Sequence, residues 1–147
     1  MTDPVSTADQ VFRRSLELLL AKDIVGWLAL CADDIVAEFP FAPEGYPRQL
    51  AGKAAVAGYM QDYPELIDLQ RITSLETHAI VGSERVVGEW SAEGRVVPTD
   101  TPYAMSYVVF VSVRDGLMTH YRDYWNPLGI PSSFSDAKSH QTGAATA

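Results

Sequence analysis

The sequence contains a single cysteine, Cys31, so no disulfide bond can form within the chain. Disulfides are characteristic of oxidising compartments, and we therefore expect a cytoplasmic protein. Cys31 lies in the apolar segment WLALCADD. A cysteine in such a segment is more often a buried structural thiol than a nucleophile.

Basic residues are few and dispersed. Eleven lysines and arginines stand against nineteen acidic residues, the formal net charge is −8, and the one adjacent basic pair is Arg13-Arg14. Nucleic acids and anionic membranes attract proteins through clustered lysine and arginine side chains. Neither kind of partner is expected for this chain.

The sequence also lacks long apolar segments and obvious metal-binding motifs. No run of about 18 apolar residues is present, so no transmembrane helix is expected. No basic and apolar secretion signal opens the chain. The three histidines, His78, His120 and His140, are far apart and accompany no cysteine or close carboxylate motif. We expect no metal site.

The first half of the chain has mainly helical character. Apolar residues recur at helical spacing after Ser6 or Thr7, which can cap a helix that ends near Lys22. A second, short helix begins after Asp23. The segment DIVAEFPF favours a strand, a Pro- and Gly-rich loop follows, and KAAVAGYMQDY predicts a third helix that ends before Pro64.

The second half is rich in strand-forming residues. Four long β-rich segments are separated by turn sequences, including Asp115-Gly116, a good hairpin motif. Helices followed by antiparallel strands indicate an α+β fold, with a curved sheet wrapped around three helices and enclosing a cone-shaped pocket. We expect one domain over residues 1–130 and a flexible tail over 131–147, which is small and polar.

The last β-rich segment, HYRDYWNPL, places Asp123 between Tyr121 and Trp125 on one face of a strand. The other face carries His120, Arg122 and Tyr124. Alternation alone does not decide which face is turned inward. The preceding strand has one bulkier face, which bears Tyr103, Met105, Tyr107, Val109 and Val111.

If the Asp123 face lines a pocket, aromatic neighbours would remove water from the carboxylate and raise its pKa. Such a base is suited to removing a proton beside a carbonyl group near neutral pH. Tyr103 or Tyr107 could then donate a hydrogen bond to the enolate oxygen. The alternative is that Asp123 forms a surface salt bridge with Arg122 or Arg71.

Other candidates have equally ordinary alternatives. His78 is a candidate second acid-base group, although a surface histidine is commoner. Glu89 and Trp90 lie on opposite faces of one strand, and Phe39 is the natural core residue beside Glu38. Tyr46 could close the mouth of the pocket or anchor its loop. The expected substrate-binding residues are Phe39, Tyr46, Glu89, Trp90, Tyr103, Met105, Tyr121 and Trp125.

Two segments resemble the nuclear transport factor 2-like superfamily: GWLALCADDIVAEFPFAPEGYPRQLAGKAAVAGYM and VRDGLMTHYRDYWNPL. The resemblance covers residues 8–128 and is greatest to SnoaL-like polyketide cyclases and phenazine-biosynthesis A/B-type proteins. It implies an α+β cone with a small-molecule pocket, no prosthetic group and a homodimer. This scaffold serves several enzyme classes and also plain binding modules, so the fold alone does not assign an activity.

The resemblance also bears on individual positions. Ser15, Phe39 and Val109 stand where steroid isomerases of this superfamily have a tyrosine, a base and an aspartic acid, so that activity is not expected. Asp123 in YRDYW matches an aspartate of limonene-epoxide-hydrolase-like proteins, but the accompanying Arg-x-Asp pair is missing. In RDYWN, Asp123 also matches the catalytic glutamate position of the phenazine A/B-type proteins.

These observations predict a cofactor-independent enzyme of natural-product, polyketide-like biosynthesis. The expected reaction is an acid-base catalysed cyclisation, condensation or isomerisation of an apolar carbonyl compound. The expected catalytic residues are Asp123, Tyr107 and His78. The alternatives are an epoxide-opening enzyme and a binding module without chemistry.

Overall fold

The computed structural model describes residues 6–129, and the flexible tail expected over 131–147 lies outside the described residues. The helices are α1 (Ala8–Leu20), α2 (Ile24–Ala29), α3 (Lys53–Met60) and α4 (Tyr63–Leu66). The strands are β1 (Cys31–Glu38), β2 (Gln49–Ala51), β3 (Ile67–Ala79), β4 (Arg85–Val96), β5 (Thr101–Arg114) and β6 (Leu117–Trp125). A short 3₁₀ turn, Pro127–Gly129, follows β6.

The α+β architecture is confirmed. The six strands form one curved, unclosed sheet in the order β2-β1-β6-β5-β4-β3. Strands β3 to β6 form an antiparallel meander, and β1 pairs with β6 in parallel. In the β5–β6 turn, Asp115 and Gly116 have φ of 55° and 79°. Positive φ at both positions is typical of a type I′ hairpin turn.

Helix α1 packs its apolar side against the inner face of the sheet. Thr7 and Gln10 form a capping box at its N-terminus, which satisfies two backbone N–H groups. Phe12 is fully buried. A Cβ atom at Gly88 of β4 would lie 2.2 Å from the Phe12 ring, so only glycine permits this close approach.

Two short elements were not expected from the sequence. Strand β2 forms within the predicted loop and pairs with β1. The predicted third helix is two elements, because α3 ends at Met60 and α4 begins at Tyr63. Pro64 lies in the first turn of α4, where its missing N–H is not needed for a helical hydrogen bond.

A bulge in β6 interrupts the alternation of inward and outward side chains along this strand. Met118 pairs with Val113 and His120 pairs with Ser112, so Thr119 is an extra residue on β6. The buried residues of the strand are therefore Met118, Tyr121 and Asp123.

Among residues 6–129, no helix is long and apolar enough to cross a bilayer.

Candidate active site

A cavity of about 120 Å³ lies between the inner face of the sheet and helices α1 to α4. An engineered cavity of about 150 Å³ holds one benzene molecule, so this cavity suits a ligand of single-ring size. Aromatic and aliphatic side chains line it, and Asp123 is the one acidic residue of the lining. No lysine, arginine or histidine belongs to this lining within the described part of the chain.

Asp123 is a buried carboxyl group without a counterion. It is 7% exposed, and its Oδ1 atom has no hydrogen-bond partner among residues 6–129. Its cross-strand neighbour on β5 is Val109, which offers no polar atom from its side chain. Burial therefore raises the pKa of Asp123 to about 8. The carboxyl group is mainly protonated at neutral pH and can both give and take a proton.

Two phenol groups form a hydrogen-bonded pair in the same cavity. The hydroxyl oxygens of Tyr103 and Tyr107 are 2.6 Å apart. Burial raises the pKa of Tyr103 to about 12, against the lowering effect of its hydrogen bond with Tyr107. Burial raises the pKa of Tyr107 well above its usual range. Both groups stay protonated at neutral pH and can act as hydrogen-bond donors to a ligand oxygen.

Three further tyrosines complete the surroundings of Asp123. Burial raises the pKa of Tyr59, Tyr63 and Tyr121, and the nearby charge of Asp123 contributes to each increase. The sequence analysis did not identify Tyr59 and Tyr63 as site residues. Val56, Tyr59 and Tyr63 recur at helical spacing, and this pattern could have identified the pocket face of α3 and α4.

Aromatic contacts hold the remaining walls. The Tyr46 ring meets Trp125 edge-on at 5.8 Å, which brings the loop before β2 against the end of β6. Trp90 stacks on Tyr107, with ring centroids 4.2 Å apart and an interplanar angle of 14°. Phe39 packs against Tyr59 at 5.3 Å. These contacts fix the rings that surround the cavity.

Residues 12–121 match the SnoaL-like domain family. This chain belongs to that family. An uncharacterised Bacillus subtilis protein, YesE, is 39% identical over 127 residues, which are 86% of each chain. An uncharacterised PhzA/B-like protein of Pseudomonas aeruginosa is 31% identical over 121 residues, or 82% of this chain and 85% of the relative.

Solved structures agree with this assignment. A Bacillus subtilis protein provisionally named an isomerase has a TM-score of 0.83 and 38% identity, over 87% of this chain and 92% of its own. A Pseudomonas putida protein provisionally named a polyketide cyclase has a TM-score of 0.71 over 84% of this chain and 95% of its own. Its 17% identity supports a shared fold only.

The structure brings most of the predicted residues of this SnoaL-like protein together. Asp123 and Tyr107 share the cavity, whereas the alternative, a surface salt bridge of Asp123 with Arg122 or Arg71, is absent. Arg122 lies on the outer face over the Phe110 ring, and Arg71 pairs with Glu93. The predicted substrate-binding residues that line the cavity are Phe39, Tyr46, Trp90, Tyr103, Met105, Tyr121 and Trp125.

Two predicted site residues, His78 and Glu89, do not line this cavity. Both are exposed on the outer face of the sheet, where the His78 Nε2 atom is 3.4 Å from Glu89 Oε2. Glu89 precedes the inward Trp90, so strand alternation turns it outward.

The pairing of β3 with β4 also assembles a group that the sequence analysis did not expect. Glu76 lies directly opposite Glu89, and His78 joins them, so that the potential ligand atoms are within 4.8 Å of one another. All three residues are exposed. Such groups are common on protein surfaces without a bound ion, and the arrangement alone does not assign a metal.

Proposed function

We propose that this SnoaL-like protein is a cofactor-independent enzyme that moves protons within a small, largely apolar carbonyl compound. The result would be a cyclisation, condensation or isomerisation in a biosynthetic pathway of the polyketide type. One observation carries the proposal: Asp123 is buried among aromatic rings in a cavity of ligand size, and no residue between 6 and 129 supplies it with a counterion. Family membership and the relative provisionally named an isomerase support a cyclase- or isomerase-type role.

The ionised form of Asp123 would act as the base. Its carboxylate takes a proton from the carbon beside the carbonyl group, and the C–H electron pair moves into an enolate. The enolate oxygen accepts a hydrogen bond from one hydroxyl of the Tyr103–Tyr107 pair. In a cyclisation or condensation, the enolate carbon attacks a second carbonyl carbon, and the π pair of that carbonyl moves to its oxygen, which takes the proton from Asp123. In an isomerisation, a C=C bond conjugated with the enolate lets the γ-carbon take that proton instead.

With a pKa of about 8, Asp123 can both remove the proton from the substrate and return it near neutral pH. The base form is a minority of about one tenth at pH 7, but it is strongly basic for a carboxylate. The acid form, once made, returns its proton readily. An aspartate with an ordinary pKa of about 3.9 would be a much weaker base.

Hydrogen–deuterium exchange tests the proposal without knowledge of the natural substrate. Cyclopentanone is incubated in D₂O with the wild-type protein or with Asp123→Asn, and the loss of its α-protons is followed by NMR. Wild-type protein should accelerate exchange, and Asp123→Asn should reduce the rate to the level without protein. Glu84→Gln, which removes an exposed carboxylate from the turn before β4, is the matched control and should exchange like wild type. Equal rates in wild type and Asp123→Asn would remove Asp123 from the mechanism.

We also propose the homodimer that the resemblance implies, formed through the outer face of the sheet. A groove of about 890 Å³ on that face is bordered by Phe41, Tyr124 and Leu128. Phe41 is 58% exposed and Leu128 is 93% exposed, and exposed apolar clusters favour association. Light scattering should give a dimer mass for wild type and a monomer mass for Phe41→Glu. A wild-type monomer would refute the proposal.

A further inference from the structure

The cavity combines two features that together select for positive charge. Asp123 is a potential carboxylate with no lysine, arginine or histidine in the lining around it. Its Oδ1 atom is buried and has no hydrogen-bond partner in the described part of the chain. The surrounding groups are aromatic rings, whose faces carry partial negative charge and attract cations.

We propose that this pocket binds a small organic cation, a protonated amine of single-ring size, as an ion pair with Asp123 inside the aromatic cage. This inference rests on the proposed function for the assignment of the pocket as the site. The cation would occupy the pocket in competition with the carbonyl substrate, because Asp123 cannot be an ion-pair partner and a free base at the same time. In the free protein a proton neutralises the carboxyl group. A bound ammonium group would take over that role, and its N–H groups would donate to the unsatisfied oxygen.

The alternatives fit the cavity less well. An anionic ligand would meet no positively charged side chain in the lining, and Asp123 would have to remain protonated. A neutral ligand, such as the carbonyl compound proposed above, would fill the cavity but would leave the charge of an ionised Asp123 without a partner. The charge of the whole chain, −8, also favours the approach of a cation over that of an anion.

Binding of the cation must be linked to protons. An alkylammonium ion has a pKa near that of lysine, about 10.4, and stays charged throughout the neutral range. It binds the ionised form of Asp123, so complex formation at pH 7 should release close to one proton. Between pH 6 and pH 8 the dissociation constant should fall by roughly fiftyfold, because the fraction of ionised Asp123 rises by that factor.

Other titratable groups that face Asp123 do not interfere with this test. They are phenols only: Tyr59 on α3, Tyr63 on α4, Tyr103 and Tyr107 on β5, and Tyr121 on β6. Burial raises the pKa of each one above its ordinary value of about 10. A proton released between pH 6 and pH 8 on binding is therefore that of Asp123.

The experiment compares two probes of nearly the same shape, cyclopentylamine and cyclopentanol, by isothermal titration calorimetry. Titrations at pH 6, 7 and 8, in two buffers of different ionisation enthalpy, give affinity and proton release. For wild type we expect the amine to bind more tightly than the alcohol at pH 8, with the pH dependence given above. Asp123→Asn should weaken amine binding at pH 8 at least tenfold and leave alcohol binding within threefold.

Alcohol binding by Asp123→Asn shows that the pocket is intact, and Glu84→Gln controls for amines attracted to exposed carboxylates. Amine affinity that is independent of pH, or equal in wild type and Asp123→Asn, would overturn the inference. Alcohol binding that is as tight as amine binding at pH 8 would do so too. A protein that exchanges the α-protons of cyclopentanone but fails this test keeps the proposed function with neutral substrates.

Discussion

Asp123 of β6 pairs across the sheet with Val109 of β5, so the buried carboxyl group has an aliphatic cross-strand neighbour where a cationic or hydrogen-bonding residue could stand. The same face carries Tyr121 and Trp125 on β6 and Tyr107 on β5. The sheet therefore holds the acid where no described residue of the cavity lining supplies a counterion. This arrangement has consequences for stability, for catalysis and for the roles of neighbouring residues.

The first consequence concerns stability and pH. Unfolding exposes Asp123 and returns its pKa from about 8 to about 3.9. Between pH 4 and pH 8 the folded protein holds a proton on Asp123 that the unfolded chain has released. The free energy of unfolding should therefore fall as the pH rises from about 4 to about 8. Asp123→Asn removes this dependence. It should be more stable than wild type at pH 8, by on the order of 2–5 kcal/mol, and similar at pH 4.

Urea denaturation at pH 4, 6 and 8 measures this difference. Glu44→Gln, which removes an exposed carboxylate from a loop, should give a stability curve parallel to that of wild type. A constant difference between Asp123→Asn and wild type across this pH range would contradict the buried, uncompensated carboxyl group.

The second prediction concerns the phenol pair. If Tyr103 donates to the enolate oxygen, Tyr103→Phe should slow α-proton exchange of cyclopentanone on the order of hundredfold. Tyr107→Phe keeps the Tyr103 hydroxyl and removes only the hydroxyl that pairs with it, so the exchange rate should fall by a smaller factor. NMR exchange rates for both variants decide the assignment. A larger loss in Tyr107→Phe would transfer the donor role to Tyr107.

The third prediction tests whether residues on the outer face of the sheet take part in the reaction. His78→Ala should leave the exchange rate unchanged, because His78 lies on the outer face in contact with Glu89. Its free energy of unfolding should remain within about 0.5 kcal/mol of wild type, since the residue is exposed. An appreciable loss of exchange in this variant would return His78 to the list of acid-base candidates.

The fourth prediction concerns the contact that seats α1 on the sheet. Gly88→Ala would place a methyl group 2.2 Å from the Phe12 ring and should destabilise the protein by about 1–3 kcal/mol. Gly58→Ala is the matched control. Gly58 lies in α3 with open space around it, and alanine there should stabilise by about 0.5–1 kcal/mol. Thermal unfolding of both variants gives opposite signs if the packing is as described.

Local chemistry made much of the fold predictable. Thr7 and Asp23 mark the starts of the first two helices, and Asp115-Gly116 marks the last hairpin, because caps and turns depend on residues adjacent in sequence. Strand β2 was missed because its three residues become a strand only by pairing with β1. The break between α3 and α4 was missed because Pro64 suits a helix start as well as a helix end.

The site was predictable only in part, for the same reason. Alternation grouped Asp123 with Tyr121 and Trp125, but it could not decide which face of β6 points inward, since that depends on where the helices pack. The bulge at Thr119 depends on pairing with β5 and is invisible to simple alternation. His78 was misplaced because its neighbours in space come from β4, across a turn that sequence spacing does not resolve.

The protonation of Asp123 can be measured directly. Protein labelled with carbon-13 at the aspartate carboxyl groups is titrated by NMR between pH 3 and pH 10, and Asp123→Asn identifies the signal by its loss. A carboxyl resonance that titrates near pH 8 is the predicted result. A resonance that titrates near pH 4, as for a hydrated aspartate, would contradict the buried acid on which both the proposed catalysis and the proposed cation site depend.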